Sequence, residues 1–90
     1  MDTIKLTQSL VIDVRSEMEY EMGNVKGSIN IPLHDLPERL EEIKKLNKPI
    51  AFCCASGGRS GVATSIAQSA GIDCFNAGPW HQVSNIHEKI

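Results

Sequence analysis

Residues 49–61 read PIAFCCASGGRSG, and this stretch decides the fold. Its apolar first part, residues 49–53, is typical of a short strand that is buried on both faces. Cys54 follows at the carboxyl end of that strand, and the small residues after it allow a tight turn with inward-facing N–H groups. Ser60 and Gly61 then lead into a helical pattern. The stretch therefore predicts a strand, a loop and a helix, with a thiol facing an anion-binding loop.

The whole chain has the size and composition of one globular domain. Its 90 residues are 41% hydrophobic and 22% charged, so we predict a single domain over residues 1–90. The net charge of −2 lacks the basic excess that nucleic acid or an anionic membrane would favour. The amino-terminal residues contain no signal-like apolar run, and no segment has the ~20 apolar residues of a membrane span. We therefore expect a cytoplasmic protein that binds neither nucleic acid nor membrane.

The three cysteines predict reduced thiols and no metal site. Three is an odd number for a disulfide framework in a chain without an export signal. Cys53 and Cys54 are adjacent in a predicted strand, so their side chains should point to opposite faces and cannot chelate one ion together. Cys74 stands alone in the sequence. We expect Cys53 and Cys74 to pack as small apolar core residues and expect no cofactor.

The remaining sequence alternates between strand and helix patterns. The β-branched segment 10–14 predicts a central strand, and the capping box formed by Ser16 and Glu19 predicts a short helix after it. The other predicted strands cover residues 3–6, 28–31 and 72–75, and the other predicted helices cover 33–46, 62–70 and a final segment that has Pro79 in its first turn. This alternation predicts a three-layer α/β fold, with a mostly parallel sheet of about four to five strands and helices on both faces.

The position of Cys54 favours nucleophilic chemistry. Ligands of open parallel sheets bind at the carboxyl ends of the strands, where this thiol lies. The N–H groups of residues 55–60, the dipole of the following helix and the charge of Arg59 should all favour thiolate over thiol. The same groups should hold an anionic substrate, so one loop would both activate the nucleophile and bind its target.

Four motifs, taken in order along the chain, resemble the rhodanese-homology family in its small single-domain form. The motifs are Val11-Ile12-Asp13-Val14-Arg15 with Glu17 and Tyr20, then Gly27-Ser28-Ile29-Asn30-Ile31-Pro32, then Cys54-Ala55-Ser56-Gly57-Gly58-Arg59-Ser60, and finally Asn76-Ala77-Gly78 before Trp80.

The resemblance implies a sulfurtransferase that works through a persulfide on Cys54. The donor would be thiosulfate or another small anionic sulfane donor, and the acceptor would be cyanide, a thiol or a sulfur-accepting protein. Asp13 and Arg15 match a supporting pair that hydrogen-bonds the strand end and the loop without touching the sulfur. The substrate-binding residues that the resemblance implies are Ala55, Ser56, Gly57, Gly58, Arg59 and Ser60.

Two departures from the family pattern and two alternative functions accompany this interpretation. Asn24 stands where the family usually has a histidine, and the short amino end leaves the opening strand and helix reduced or missing.

A cysteine phosphatase or arsenate reductase needs five residues between its cysteine and arginine, whereas four separate Cys54 from Arg59. A non-catalytic binding module or sulfur relay is the other alternative, although the intact loop speaks against a pure scaffold.

Overall fold

The computed structural model describes residues 3–88, in which helices alternate with the strands of one sheet. In chain order the elements are α1 (Thr3–Thr7), β1 (Leu10–Asp13), α2 (Glu17–Glu21), β2 (Ile29–Asn30), a 3₁₀-helix (Leu33–Arg39), α3 (Leu40–Lys45), β3 (Ile50–Cys54), α4 (Gly58–Ser69), β4 (Cys74–Pro79) and α5 (Trp80–Glu88). None of the helices within this part of the chain is long and apolar enough to cross a membrane.

The four strands form one parallel sheet in the order β2-β1-β3-β4. All three pairings are parallel, and the central one aligns Leu10 with Ile50 and Asp13 with Cys53. Parallel neighbours require crossover connections, which the intervening helices provide. The predicted α/β fold with a parallel sheet of four to five strands is therefore confirmed, with four strands in the described residues.

Side chains of β3 alternate between two apolar cores, one on each face of the sheet. Ile50, Phe52 and Cys54 belong to a core beneath the 3₁₀-helix, α3 and α4. Ala51 and Cys53 belong to a second core that also contains side chains of α1 and α5. All five residues of β3 are buried, as expected for the central part of a sheet covered on both sides. The predicted opposite orientation of Cys53 and Cys54 is confirmed.

The predicted edge strand over residues 3–6 is wrong. Thr3–Thr7 is a short α-helix, and the sheet in the described residues begins with β1. Leu6 is fully buried in the core that contains Val83 of α5. The alternating pattern at the amino end therefore reflects one helical turn that packs on another helix, because burial of a single side chain overrides strand propensity in so short a segment.

Two other element boundaries differ from the sequence prediction. The expected helix over residues 33–46 divides into a 3₁₀-helix and α3, because Pro37 lacks the N–H that a continuous α-helix requires there. The last strand begins two residues later than predicted and continues through Pro79, so Pro79 ends β4 instead of opening α5. Its register shifts opposite Phe52 and Cys53, as a β-bulge does, immediately beside the Cys54 loop.

Leu6→Ala should destabilise the protein by about 2–3 kcal/mol, because it removes a fully buried side chain that joins α1 to the core. The midpoint of urea unfolding measures this change. Val62→Ala is a matched control on α4, since Val62 is 51% exposed and its truncation should change the free energy of unfolding by less than about 0.5 kcal/mol. Equal midpoints for Leu6→Ala and the wild type would contradict the packing of α1.

Candidate active site

Cys54 ends β3, and its sulfur receives hydrogen bonds from the loop that follows. The Gly57 N–H donates to Sγ at 3.0 Å, and the Ser60 N–H donates to it at 3.4 Å. The Ser60 hydroxyl oxygen lies 3.3 Å from the same sulfur. Cys54 is only 1% exposed, so these groups surround the sulfur at the floor of a narrow loop. The predicted arrangement of strand, loop and helix is confirmed.

The loop depends on a left-handed backbone at Gly57. Its φ of +104° is readily adopted only by glycine, and it allows the Gly57 N–H to point back at the sulfur. A Cβ at this position would also come within 3.6 Å of the Gly78 Cα on β4. Of the other predicted loop residues, Ala55, Ser56 and Gly58 are exposed, and no described hydrogen bond runs from Ala55 or Gly58 to the sulfur.

The three thiols differ in their tendency to ionise. Burial disfavours the thiolate of Cys54, but hydrogen bonds from Ser60, Gly57 and Ser56 outweigh it, so the pKa of Cys54 lies below its usual value. Burial and the nearby charge of Asp13 raise the pKa of Cys53 to about 12. Burial also raises the pKa of Cys74. Of the three thiols, Cys54 is therefore the one whose surroundings favour the thiolate.

Arg59 does not lie free beside the sulfur. Its guanidinium forms a bidentate ion pair with the Glu19 carboxylate, at Nη1–Oε1 and Nη2–Oε2 distances of 2.7 and 2.9 Å. Hydrogen bonds from Arg59, and next from the Ser16 N–H, lower the pKa of Glu19 to about 2. Glu19 also completes the predicted capping box with Ser16, so one carboxylate both caps α2 and binds α4. The sequence indicated the capping box but not the ion pair, which joins residues 40 positions apart.

Asp13 and Arg15 form a buried ion pair behind the loop. The Arg15 Nη2 lies 2.7 Å from the Asp13 Oδ2, and Nε donates to both carboxylate oxygens at 3.0 Å. The two residues are 0% and 4% exposed. The same guanidinium lies 4.5 Å from the centre of the Trp80 ring, which gives a cation–π contact. The many bonds to both partners offset the desolvation that such burial costs.

Arg15 also holds α2 in place. Its guanidinium donates to the backbone carbonyls of Glu19 at 3.2 Å and of Gly23 at 2.7 Å. The Asn24 amide donates to the Tyr20 carbonyl at 2.9 Å and so caps the end of α2. A continuous set of polar contacts therefore leads from the end of β1, through α2 and the Glu19 carboxylate, to Arg59.

Asn76 is a residue of the site whose role the sequence did not predict. It lies on β4 beside the bulge, and its amide bonds to Gly57 in the Cys54 loop, to Ser60 in α4 and to Gly78 in β4 itself. Oδ1 accepts from the Ser60 hydroxyl at 2.7 Å and from the Gly78 N–H at 2.9 Å. Nδ2 donates to the Gly57 carbonyl at 3.0 Å. The only sequence signal was its place in the Asn76-Ala77-Gly78 motif, which says nothing about these partners.

The chain belongs to the rhodanese-like domain family. The model of that family, described as "Rhodanese-like domain", matches residues 1–87. Together with the parallel sheet and the cysteine loop at its carboxyl edge, this match defines the class of the protein.

Individual relatives agree with the family match. The chain is 39% identical over 61 residues to "Uncharacterized protein YqhL" of Bacillus subtilis, covering 68% of this chain and 48% of that protein. It is 36% identical over 61 residues to "Thiosulfate sulfurtransferase PspE" of Escherichia coli, covering 67% of this chain and 59% of PspE. The chain thus spans about half the length of the curated relatives it matches.

A solved structure titled "rhodanese with anions from E. coli" has the same fold. It superposes on this chain with a TM-score of 0.73 at 33% sequence identity, and the match covers 81% of this chain and 88% of that one.

Glu19→Gln should remove a pH-dependent part of the stability. Because the folded-state pKa of Glu19 is about 2 and its ordinary value is 4.5, the ion pair stabilises the fold above pH 4.5 and is lost as the pH falls toward 2. Glutamine keeps one oxygen that can accept from the Ser16 N–H, but the variant removes the charge and one of the two oxygens that bind Arg59. Urea unfolding at pH 6 should therefore separate the wild type from the variant, and this difference should shrink at pH 2.5.

The matched control for this prediction is Glu38→Gln, which removes an exposed carboxylate from the 3₁₀-helix. Its difference from the wild type should change less between the two pH values. If the Glu19→Gln difference were constant across this pH range, the ion pair with Arg59 would not contribute to stability.

Proposed function

We propose that the protein is a sulfurtransferase that carries sulfane sulfur as a persulfide on Cys54. The observation that carries this proposal is the pair of N–H donors at 3.0 and 3.4 Å from Sγ, from Gly57 and Ser60. Donors in these positions stabilise a sulfur anion without a general base, because they favour the thiolate directly. The family match and the sulfurtransferase name of PspE support sulfur transfer in general.

The reaction proceeds in two displacements on sulfur. In the first, the Cys54 thiolate attacks the outer sulfur of thiosulfate, a new S–S bond forms, and sulfite leaves with the electron pair of the broken bond. The terminal sulfur of the persulfide then carries the negative charge. In the second, cyanide or a thiolate attacks that terminal sulfur, and the electron pair returns to Cys54. Charge and atoms balance in both steps, and no redox cofactor is required.

The shape of the loop favours a small donor with an unhindered terminal sulfur. Cys54 is 1% exposed, so the reacting sulfur atom must reach the floor of the loop. The N–H groups of residues 55–60 would hold the anionic donor and the persulfide, as helix amino termini hold anions. Arg59 would contribute its charge while remaining bound to Glu19. The acceptor is a thiol, cyanide or a sulfur-accepting protein, and reduced cysteines suit a cytoplasmic reaction.

Asp13 and Arg15 have a supporting role in this proposal. Their buried ion pair fixes the end of β1, and Arg15 holds the α2 backbone from which Glu19 reaches Arg59. Neither side chain has a described contact with the Cys54 sulfur. Loss of Arg15 would therefore act on activity through the position of α2.

Phosphate chemistry fits the site less well. Four residues separate Cys54 from Arg59, which gives a smaller loop than a tetrahedral phosphate needs. A phosphatase also requires the arginine to bind the substrate dianion in a bidentate manner, whereas both guanidinium donors described for Arg59 bind Glu19.

Cys54→Ala should abolish sulfur transfer from thiosulfate to cyanide, because it removes the atom that carries the sulfur. Cys53→Ala is the matched control, since its side chain lies on the opposite face of β3, and it should retain most of the activity. Mass spectrometry after incubation with thiosulfate should detect one additional sulfur atom on the Cys54 peptide of the wild type and of Cys53→Ala. Thiocyanate production measures turnover.

Equal rates of thiocyanate production by Cys54→Ala and the wild type would contradict this proposal. Persulfide on Cys54 combined with slow thiocyanate formation would indicate a sulfur relay that needs a specific accepting protein. Hydrolysis of an aryl phosphate at a rate that rivals thiosulfate turnover would favour the phosphatase alternative.

A further inference from the structure

Asn76 determines the direction of the Ser60 hydroxyl proton. An asparagine amide has one oxygen and one nitrogen, and its orientation must be inferred from its partners. Here two backbone groups decide it, because the Gly78 N–H can only donate and the Gly57 carbonyl can only accept. Oδ1 must therefore face Gly78, and this oxygen lies 2.7 Å from the Ser60 Oγ. Ser60 is consequently the donor in that bond.

A serine hydroxyl has a single proton, so Ser60 cannot donate to Asn76 and to Cys54 at once. The Cys54 Sγ lies 3.3 Å from the Ser60 Oγ, on the acceptor side of a hydroxyl whose proton faces Asn76. In this arrangement the thiol of Cys54 donates to Ser60, which favours the protonated sulfur. When Cys54 ionises, the hydroxyl can donate to the sulfur only by leaving Asn76.

We propose that Asn76 is a positioning residue that competes with the Cys54 sulfur for the Ser60 hydroxyl proton and so sets the balance between thiol, thiolate and persulfide. Ser60 is 0% exposed and Cys54 is 1% exposed, so water has almost no access to the sulfur in place of the missing donor. This inference takes its functional meaning from the proposed sulfur transfer. Once the persulfide forms, the negative charge lies on the terminal sulfur, and Ser60 can donate to Asn76 again. Asn76 therefore favours the loaded state over the bare thiolate.

The other groups that act on Cys54 remain the same throughout this exchange. The Gly57 and Ser60 N–H groups donate to the sulfur whichever way the hydroxyl points. Arg59 on α4 is bound to Glu19 and interacts with Cys54 through its charge, and the neighbouring Cys53 has a pKa of about 12. The hydroxyl proton of Ser60 is thus the movable element of the site.

The test is the pKa of Cys54, measured from the pH dependence of alkylation by iodoacetamide, with the modified residue assigned by mass spectrometry. Asn76→Ala frees the hydroxyl for the thiolate, and we expect the acid dissociation constant of Cys54 to rise about threefold, roughly half a pKa unit. No sulfur donor is present, so the result does not depend on whether the protein transfers sulfur.

A comparison with the double variant distinguishes competition for the Ser60 proton from a role in which Asn76 only stabilises the loop conformation. Ser60→Ala should raise the pKa of Cys54, and adding Asn76→Ala to it should change that pKa no further, because no hydroxyl proton remains to compete for. If Asn76 only stabilised the loop conformation, Asn76→Ala would weaken the hydrogen bond from the Gly57 N–H to the sulfur. The pKa of Cys54 would then rise. A raised or unchanged pKa in Asn76→Ala, or a decrease that persists without Ser60, would overturn the proposal.

Asn76→Leu provides a second variant of similar size in case the alanine protein does not melt cooperatively. It also lacks an acceptor for Ser60, so the same lowering of the Cys54 pKa is expected.

The persulfide gives an independent readout, because Asn76→Ala should shift the equilibrium between thiosulfate and sulfite toward the unloaded enzyme. An equilibrium equal to that of the wild type would contradict the stabilisation of the loaded state.

Discussion

The alternation of side chains along β3 is the constraint on which the rest of the structure depends. Five consecutive buried residues leave no polar face, so the sheet must be covered on both sides. The same alternation sends Cys53 into one core and Cys54 into the other. Because the strand ends at Cys54, the second thiol lies where the backbone turns and its N–H groups become available. The alternation along β3 thus accounts both for a sheet covered on two faces and for the position of Cys54 beside the N–H donors of the loop.

Burial and hydrogen bonding oppose each other at Cys54, and their balance distinguishes it from the other thiols. Desolvation alone would raise the pKa of a cysteine that is 1% exposed, as it does for Cys53 and Cys74. Only Cys54 has several N–H donors directed at its sulfur. The low exposure of Cys54 then strengthens the stabilisation of its thiolate, because hydrogen bonds to a charged atom are stronger where water is excluded.

The sequence predicted the parts of the protein that depend on local pattern. The β3 strand, the Cys54 loop and the capping box at Ser16 follow from residue types within a few positions of one another, and the structure confirms each. The parallel sheet followed from the alternation of elements. Segment 3–6 was assigned to the wrong element because its burial depends on α5, far along the chain.

The contacts that complete the site could not be read from the sequence for the same reason. Glu19 and Arg59 are 40 positions apart, and Ser60 and Asn76 are 16 apart. Each pair meets only because parallel strands place their carboxyl ends at one edge of the sheet. A local motif can indicate that Glu19 caps a helix, but it carries no information about a second partner in space.

The position of Asn76 on the last strand affects the order in which the protein can assemble. Parallel pairing joins β1 to β3 and β3 to β4 across long intervening segments, so the contacts of Glu19 with Arg59 and of Ser60 with Asn76 are non-local. During synthesis the Cys54 loop leaves the ribosome before Asn76 does. Until β4 docks, the Gly57 carbonyl and the Ser60 hydroxyl lack their partner, so a nascent or truncated chain does not yet contain the finished thiol site.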